Sequence, residues 1–259
     1  MHPEAFQVGG LTVYWYGVLV AAGFLAGLWT ASRRAPRSGI SGNQILDLGP
    51  WLIVGAVVGG RLLFVVSYWR EDFAGHPWWE VFMIRRGGLV FYGGFAGATL
   101  AHVLYCRVKR LPLWKLADIL APSIALGYFF GRLGCLMTGC CYGAVCELPW
   151  AIQFPIGHAS HPHPVHPTQL YEAAAGLIMY AGLAWLYRRK HFEGQIFALY
   201  LMANGGLRFG IEFFRGDYPV RYLGGWATPA HGIALGLLAA GAILFVVMRR
   251  RATTRPGRK

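Results

Sequence analysis

The chain has 259 residues, of which 56% are hydrophobic and 14% are charged, and its 24 lysines and arginines outnumber its 11 aspartates and glutamates. An average soluble domain carries about 25% charged residues, so this composition excludes a soluble globule, a disordered chain, a coiled coil and a disulfide-rich miniprotein. It predicts an all-α integral membrane protein that crosses the bilayer several times.

Seven apolar stretches follow one another along the chain, and each is long enough to cross a bilayer as a helix of about 20 residues. They lie near residues 11–31, 48–69, 88–106, 117–137, 169–187, 194–214 and 231–248. Polar and charged residues interrupt the sixth stretch. We therefore expect seven transmembrane helices in a single polytopic membrane domain that covers residues 1–259.

The basic residues alternate between the two sides of the predicted membrane domain. Sixteen of the 24 lie in the first, third and fifth connections and in the carboxyl-terminal tail, whereas the other connections hold five: Arg70, Arg85, Arg86, Arg215 and Arg221. The positive-inside rule then predicts a periplasmic amino terminus and a cytoplasmic carboxyl terminus. Topology thus explains the net charge of +13, and we expect no nucleic-acid partner.

The connection between the fourth and fifth predicted helices differs from the others in composition. Residues 138–168 contain five prolines and no lysine or arginine. A connection without lysine or arginine is favoured on the outer side of the membrane. We expect this segment to form a small folded periplasmic cap.

Three arginines, Arg61, Arg132 and Arg208, fall inside apolar stretches. An arginine near the bilayer centre costs about 2.5–3.5 kcal/mol even on a lenient insertion scale. Each could pair with a carboxylate or cap backbone carbonyls. Since Glu212 is the one acid that the sequence places well within the membrane, we expect an anionic ligand to supply the missing negative charge.

Arg208, Glu212 and Arg215 are spaced to share one face of a helix at the outer end of the sixth stretch. Arg132 lies at a similar depth on the fourth stretch. Guanidinium groups grip phosphate through two parallel hydrogen bonds. Two arginines on different helices therefore predict a clamp for a lipid phosphate.

Two further candidate site residues, Arg61 and Tyr92, have glycines beside them: Gly59-Gly60 precedes Arg61, and a glycine string follows Tyr92. Small residues let transmembrane helices approach each other closely, which explains most of these glycines without a functional role. Tyr92 and Tyr16 also fit the belt of aromatic residues found at membrane interfaces.

Six short motifs are spread from the first predicted span to the sixth. They are Tyr14-Trp15-Tyr16-Gly17, Gly59-Gly60-Arg61, Gly87 through Gly94, Gly131-Arg132-Leu133-Gly134-Cys135, His166 through Glu172, and Arg208 through Arg215. In this order they resemble the motifs of the bacterial prolipoprotein diacylglyceryl transferases.

The resemblance implies a multi-pass enzyme of the bacterial inner membrane. Its partners would be the bilayer, phosphatidylglycerol and the signal peptide of a prolipoprotein with its lipobox cysteine. The enzyme would transfer diacylglyceryl to the cysteine thiol, form a thioether and release glycerol phosphate. The family implies no metal and no organic cofactor.

Site residues follow from the resemblance, motif by motif. Arg132 and Arg208 would hold the head group and the leaving phosphate, and Glu212 would orient Arg208 or close the site. Tyr16 would line the pocket, and Gly143 would occupy a position where only backbone fits. The resemblance implies catalytic roles for Arg132, Arg208, Tyr92 and Glu212, and substrate binding by Arg132, Arg208, Tyr16, Arg61, Gly143, Cys135, His166 and Arg215.

Four positions depart from the family pattern. Tyr92 stands where the family has a histidine proposed as a base, Cys135 replaces an asparagine, Cys140 replaces an acid, and Asn204 replaces a tyrosine. A phenol is a poor general base at neutral pH, so Tyr92 is expected to donate or accept a hydrogen bond. The base is left unassigned, with His166 as a candidate replacement.

Four of the five cysteines crowd around the outer end of the fourth span, and Cys106 lies apart from them. Disulfides are permitted outside the inner membrane, so structural bridges and packed thiols are both open. Zinc with the nearby histidines is a further option, although the spacing matches no standard ligand pattern. The crowded residues are Cys135, Cys140, Cys141 and Cys146, followed by His158, His161, His163 and His166.

Two other functions compete with the transferase. A membrane thiol–disulfide oxidoreductase would use the cluster from Cys135 to Cys146, but that cluster contains no Cys-x-x-Cys motif. A phospholipid transporter would use the same arginine clamp, but the sequence shows no inverted repeat of the kind many transporters have.

Overall fold

The computed structural model describes residues 3–83, 87–217, 222 and 227–254. The chain forms two compact units, which are described separately. The first unit contains Met1–Ala31 and Ala117–Lys259, and the second contains Ser32–Leu116. Several basic residues counted for topology lie outside the described residues: Arg85, Arg86, Arg221, Arg255, Arg258 and Lys259.

The described part of the chain is mainly helical, and one α-helix overlaps each of the seven predicted stretches. Four of these helices, counting α1 through to Ser38, are long and apolar enough to cross a membrane: α1, α2, α4 and α7. The helices are α1 Trp15–Arg34, α2 Gly42–Ser67, α3 Phe91–Val108, α4 Leu113–Thr138, α5 Thr168–Tyr187, α6 Gln195–Ile211 and α7 Pro229–Thr253.

A short hairpin precedes α1 and corrects the predicted start of the first span. Strands β1 (Glu4–Val8) and β2 (Leu11–Tyr14) pair antiparallel. Gly9 and Gly10 join them with φ values of 54° and 81°, the positive φ angles that a two-residue hairpin turn requires. Residues 11–14 are therefore strand, although they are as apolar as the helix that follows.

Helices α2 and α3 pack through glycines in the second unit. A Cβ atom added to Gly59 would overlap the carbonyl oxygen of Gly93 and lie 2.8 Å from the Cα of Gly97. The two backbones thus approach more closely than a side chain allows. This contact agrees with the helix-packing interpretation of the glycine strings.

Buried polar contacts tie the helices of the first unit together. Thr30 on α1 and Ser123 on α4 place their hydroxyl oxygens 3.0 Å apart. Asp118 of α4 is fully buried. It accepts hydrogen bonds from Lys190 Nζ at 3.1 Å and from the backbone N–H of Gly194 at 2.9 Å. Through Asp118, α4 is fastened to the connection between α5 and α6.

The chain between α4 and α5, residues 139–167, folds without a helix or a named strand. Val165 is buried and forms isolated bridges with Val145 and Ile152. Phe154 is 2% exposed and stacks on the ring of His158, with 4.1 Å between ring centroids. The segment therefore packs around a small apolar centre of its own.

Candidate active site

A fully buried carboxylate, Glu172, lies at the centre of the site. It belongs to the second turn of α5. Tyr128 Oη donates a hydrogen bond to its Oε1 at 2.5 Å. Arg132 Nη2 lies 3.1 Å from the same oxygen, and its guanidinium carbon lies 4.8 Å from the centre of the Tyr128 ring. An ion pair and a hydrogen bond to Glu172 therefore join α4 to α5, while the cation–π contact lies within α4.

Arg208 of α6 bridges two carboxylates. Its Nη1 lies 3.6 Å from Glu172 Oε1, and its Nη2 lies 2.8 Å from Glu212 Oε2. Thr228, the N-cap residue of α7, donates from Oγ1 to Glu212 Oε1 at 2.6 Å. Glu212 thus makes the contact with Arg208 that its predicted orienting role requires.

Arg215 does not share a helical face with Arg208, which corrects the predicted stripe. Helix α6 ends at Ile211, a short 3₁₀ turn follows, and Arg215 itself is extended with ψ of 137°. Its guanidinium makes two hydrogen bonds to Asp217, at 2.7 and 2.6 Å. Its Nη1 also lies 4.0 Å from Glu172 Oε2, so Arg215 reaches the site from the chain after α6.

The site contains more acid than the sequence analysis allowed. Glu172 joins Glu212 as a second buried carboxylate, so the expectation that Glu212 stood alone is wrong. Both side chains are 0% exposed, whereas Arg132 and Arg208 keep 17% and 18% of their side chains exposed. Buried charges are stable only when paired. The two carboxylates therefore pair with the arginines from the buried side, while part of each arginine side chain stays accessible.

Gly143 lies where the cap meets the chain after α6. A Cβ atom there would lie 2.5 Å from the Cβ of His166 and 2.8 Å from the carbonyl oxygen of Phe214. The backbone N–H of Gly143 donates to the carbonyl of His166 at 3.0 Å. No side chain fits at this crossing, in agreement with the expectation for Gly143.

His166 has aromatic and hydroxyl neighbours. Its Nδ1 lies 3.3 Å from Tyr171 Oη, and its ring centre lies 5.3 Å from that of Phe214. Trp150 Nε1 donates to the same tyrosine oxygen at 2.7 Å. The role of His166 as a base stays a prediction.

Tyr16 of α1 packs against the last turns of α4. A Cβ atom added to Gly134 would lie 2.9 Å from Tyr16 Cδ2. Along the helix, Gly134 comes directly before Cys135 and two residues after Arg132. The side chain of Tyr16 is exposed, which suits a residue that lines an open pocket.

Three thiols meet at the outer end of α4. The Sγ atoms of Cys135, Cys140 and Cys141 all lie within 4.8 Å of one another, and each cysteine in the chain is a free thiol. Hydrogen bonds from Cys135 and then Cys140 lower the pKa of the Cys141 thiol below its ordinary value, although burial opposes this, and the charge of Arg215 lowers it further.

Neighbouring histidines have structural contacts. His158 donates from Nε2 to the carbonyl of Gly139 at 2.8 Å, while His161 Nδ1 lies 3.0 Å from the carbonyl oxygen of Phe154. Among the described residues, no histidine joins the three-thiol group. The option of a zinc site made of cysteine and histidine ligands is thus not formed among those residues.

Two predicted site residues lie in the second unit. Tyr92 is at the start of α3 and is 59% exposed. Arg61 of α2 is buried and donates to the backbone carbonyls of Val81 at 2.6 Å and Glu80 at 2.7 Å. It also donates to Gly87 at 2.9 Å. Arg61 therefore caps carbonyls, one of the alternatives open from the sequence, and its role in lipid binding stays a prediction.

Two partly accessible arginines backed by buried carboxylates can bind a phosphate group. Each guanidinium offers parallel N–H donors to phosphate oxygens. Donors that are already oriented stabilise negative charge as it develops, without reorganising at that moment. The site is therefore suited to hold a phosphate ester whose bridging oxygen departs.

Comparisons with known proteins agree with this chemistry. The family model described as prolipoprotein diacylglyceryl transferase matches residues 3–247. A phosphatidylglycerol–prolipoprotein diacylglyceryl transferase of Nitratidesulfovibrio vulgaris is 37% identical over 254 residues, which cover 96% of this chain and 94% of the relative.

Relatives of the same name come from other bacteria. That of Rhodospirillum rubrum is 36% identical over 96% of this chain and 92% of its own length. That of Bordetella avium is 34% identical over 98% of this chain and 97% of its own length. The resemblance inferred from six short motifs is confirmed, and this chain belongs to the prolipoprotein diacylglyceryl transferase family.

Proposed function

We propose that this protein is an enzyme that transfers the diacylglyceryl group of phosphatidylglycerol to the lipobox cysteine of prolipoproteins. The thiolate sulfur attacks the glycerol carbon that carries the phosphate ester, and the bond between that carbon and the bridging oxygen breaks. The products are a thioether and glycerol phosphate. Family membership and the arginine pair backed by Glu172 support this function.

The leaving phosphate is held by Arg132 and Arg208. Both contact the same oxygen of Glu172 but come from different helices, α4 and α6. They therefore converge on one point from two directions. As the carbon–oxygen bond breaks, negative charge grows on the departing oxygen and these two cations lower the barrier.

Glu172 and Glu212 act as positioning residues. A carboxylate that pairs with an arginine fixes the plane of the guanidinium and lowers the entropy lost when phosphate binds. Thr228, the N-cap residue of α7, donates a hydrogen bond to Glu212. The network therefore joins α4, α5, α6 and the start of α7, and the substrate-binding residues around it are Tyr16, Cys135, Gly143, His166 and Arg215.

The site faces the outer leaflet of the bacterial inner membrane. We place α1 to α7 as seven spans of one membrane domain, with the amino terminus periplasmic and residues 138–168 as the periplasmic cap. This topology follows the alternation of basic connections. It brings the arginine pair to the depth of phospholipid head groups and to the side on which secreted precursors arrive.

Mass spectrometry of a lipobox peptide incubated with purified protein and phosphatidylglycerol tests this function. We expect the peptide to gain one diacylglyceryl group on its cysteine while glycerol phosphate is released. Arg189→Ala is the matched control for substitutions in the clamp, since Arg189 is exposed and stacks on Trp185 at 4.1 Å. An unchanged peptide with bound phospholipid would contradict the proposed acceptor and favour the transporter instead.

A further inference from the structure

The end of α4 brings three sulfur atoms together in a way that the sequence spacing does not reveal. Cys135 lies in the last turn of α4, and the chain then reverses at Gly139 and Cys141, whose φ values are 79° and 64°. The three Sγ atoms lie within 4.8 Å of one another. Sulfurs that share a tetrahedral zinc ion at about 2.3 Å lie about 3.8 Å apart. Small side-chain rotations bring these thiols to one metal ion.

The backbone that carries the thiols is fixed by buried side chains. Thr168 Oγ1 donates to the carbonyl of Cys141 at 2.7 Å, and Gln169 Nε2 donates to the carbonyl of Cys140 at 2.8 Å. Both donors are fully buried. Cys141 is held in the left-handed region, a costly conformation for a residue with a side chain, and such strain clusters at functional sites. Metal sites need this kind of support around their ligands.

The residues around the three-thiol group favour a metal complex with a small net negative charge, because two arginines lie nearby. Three thiolates with Zn²⁺ carry a net charge of −1. Arg132 precedes Cys135 by one helical turn, and Arg215 pairs with Gly143 in an isolated bridge two residues after Cys141. Both arginines are already ion-paired, with Glu172 and Asp217, so they offset only part of the negative charge of the complex. Zinc suits the site because it binds thiolates and has no redox chemistry.

The group also leaves room for one more ligand. Within the described residues, no fourth cysteine, histidine or carboxylate joins the three sulfurs. Cys140 is exposed, so the group opens outward. Three protein ligands with a free fourth position are typical of catalytic rather than structural zinc.

We propose that Cys135, Cys140 and Cys141 bind Zn²⁺, and that the fourth position takes the thiol of the lipobox cysteine. This inference rests on the proposed transferase function. A thiol that coordinates zinc is deprotonated outright. Zinc thereby supplies the activation that the family histidine would give and that Tyr92 cannot.

The step balances without another reactant. The lipobox thiol releases its proton to solvent when its sulfur binds zinc. That sulfur then forms a bond to the glycerol carbon, the electrons of the carbon–oxygen bond leave with glycerol phosphate, and the phosphate takes up a proton from solvent. The thioether product is neutral, so it binds zinc weakly and departs.

Metal binding is tested first on the purified full chain, without any assay of activity. We expect one zinc per chain by elemental analysis, and thiolate-to-metal absorption bands when Co²⁺ replaces Zn²⁺. Cys140→Ser should weaken both signals, whereas the matched control Cys146→Ser should keep them. A lipobox peptide should add one thiolate to the Co²⁺ spectrum, and the same peptide with serine should not. A wild-type chain with neither zinc nor thiolate bands would overturn the proposal.

Measurements of the transfer rate distinguish the proposed zinc site from the proposed transferase function. Removing zinc with a chelator should lower the transfer rate about 100-fold or more, the range that proton removal by a catalytic group provides, and added zinc should restore it. A full rate in the metal-free enzyme would overturn the role of zinc in activating the lipobox thiol and leave the transferase function intact. Zinc and peptide bands without any diacylglyceryl product would establish the site and overturn phosphatidylglycerol as the donor.

Discussion

Arginines lie within apolar helices in both units of this protein, and the groups that they pair with differ between the units. Arg61 in the second unit donates to neutral backbone carbonyls from Glu80 to Gly88. In the first unit, Arg132 and Arg208 face the carboxylates of Glu172 and Glu212 and keep part of their surface accessible. The same residue type thus serves packing in one place and ligand binding in the other.

The partner decides between these two roles. Backbone carbonyls use up the donors of a guanidinium but cannot be exchanged for a ligand without unfolding the local chain. A carboxylate at one edge of a guanidinium leaves its other donors directed outward. An intramembrane arginine with a buried acid behind it is therefore the better candidate for anion binding.

The largest expected effect follows from removing either arm of the clamp. Arg132→Ala and Arg208→Ala should each lower the transfer rate about 1,000-fold, since each deletes an oriented donor to the developing charge. Both proteins should still insert into the membrane. Rates measured by peptide mass spectrometry on purified proteins check this, with Arg189→Ala as the control. Full activity in either variant would contradict the proposal that Arg132 and Arg208 together bind the leaving phosphate.

A smaller effect is expected when the clamp keeps its arginines but loses the acid behind them. Glu172→Gln preserves the shape of the side chain and removes its charge, so Arg132 and Arg208 lose their common orientation. We expect the rate to fall about 100-fold. Losses of about 10–100-fold are typical when a group that orients a metal-binding residue is removed, and Glu172 orients the arginines in the same way. The control is Glu147→Gln, an exposed acid in the cap. Equal rates in the two variants would show that Glu172 positions nothing.

Gly143→Ala tests the contact between the cap and the chain after α6. The new methyl group would meet His166 at 2.5 Å, and overpacking of this kind costs about 1–3 kcal/mol. We expect a lower melting temperature and a transfer rate reduced about 10-fold through displacement of the cap. Gly206→Ala should change neither quantity, because its added methyl group meets no atom within 4 Å.

The smallest expected effect on rate is that of Tyr92→Phe. Loss of the hydroxyl removes a hydrogen bond and should lower the rate less than about 10-fold, well below the 100-fold or more that a general base contributes. Steady-state rates on the purified variant measure this. Complete loss of transfer would instead give Tyr92 a chemical role and weaken the contrast between the two units.

Much of this account was predictable from the sequence because its signals are local. Apolar length predicted all seven helices, and six motifs predicted the family and the activity, which the comparisons confirmed. The hairpin at residues 4–14 was missed because β2 is as apolar as α1. Its signal was the pair Gly9-Gly10, which favours a tight turn.

The parts of the site that the sequence did not predict depend on contacts between segments far apart in the chain. Glu172 was seen only as the end of a motif, although an acid in an apolar helix is itself a functional signal. Arg215 was placed on a helical face because its spacing fits, yet the chain leaves the helix at Ile211 and Asp217 takes its charge. The three-thiol group arises from a reversal at Gly139 that spacing alone does not predict.

The central claim is that an arginine paired with backbone carbonyls and an arginine paired with a carboxylate differ in role, and one comparison tests it directly. Arg132→Lys and Arg61→Lys keep the charge and remove the guanidinium fork. Melting temperature and single-turnover transfer rate should be measured for both purified proteins. We expect Arg132→Lys to lose at least about 100-fold in rate with little change in stability, and Arg61→Lys to lose stability with little change in rate per folded molecule. The reverse pattern would contradict the account.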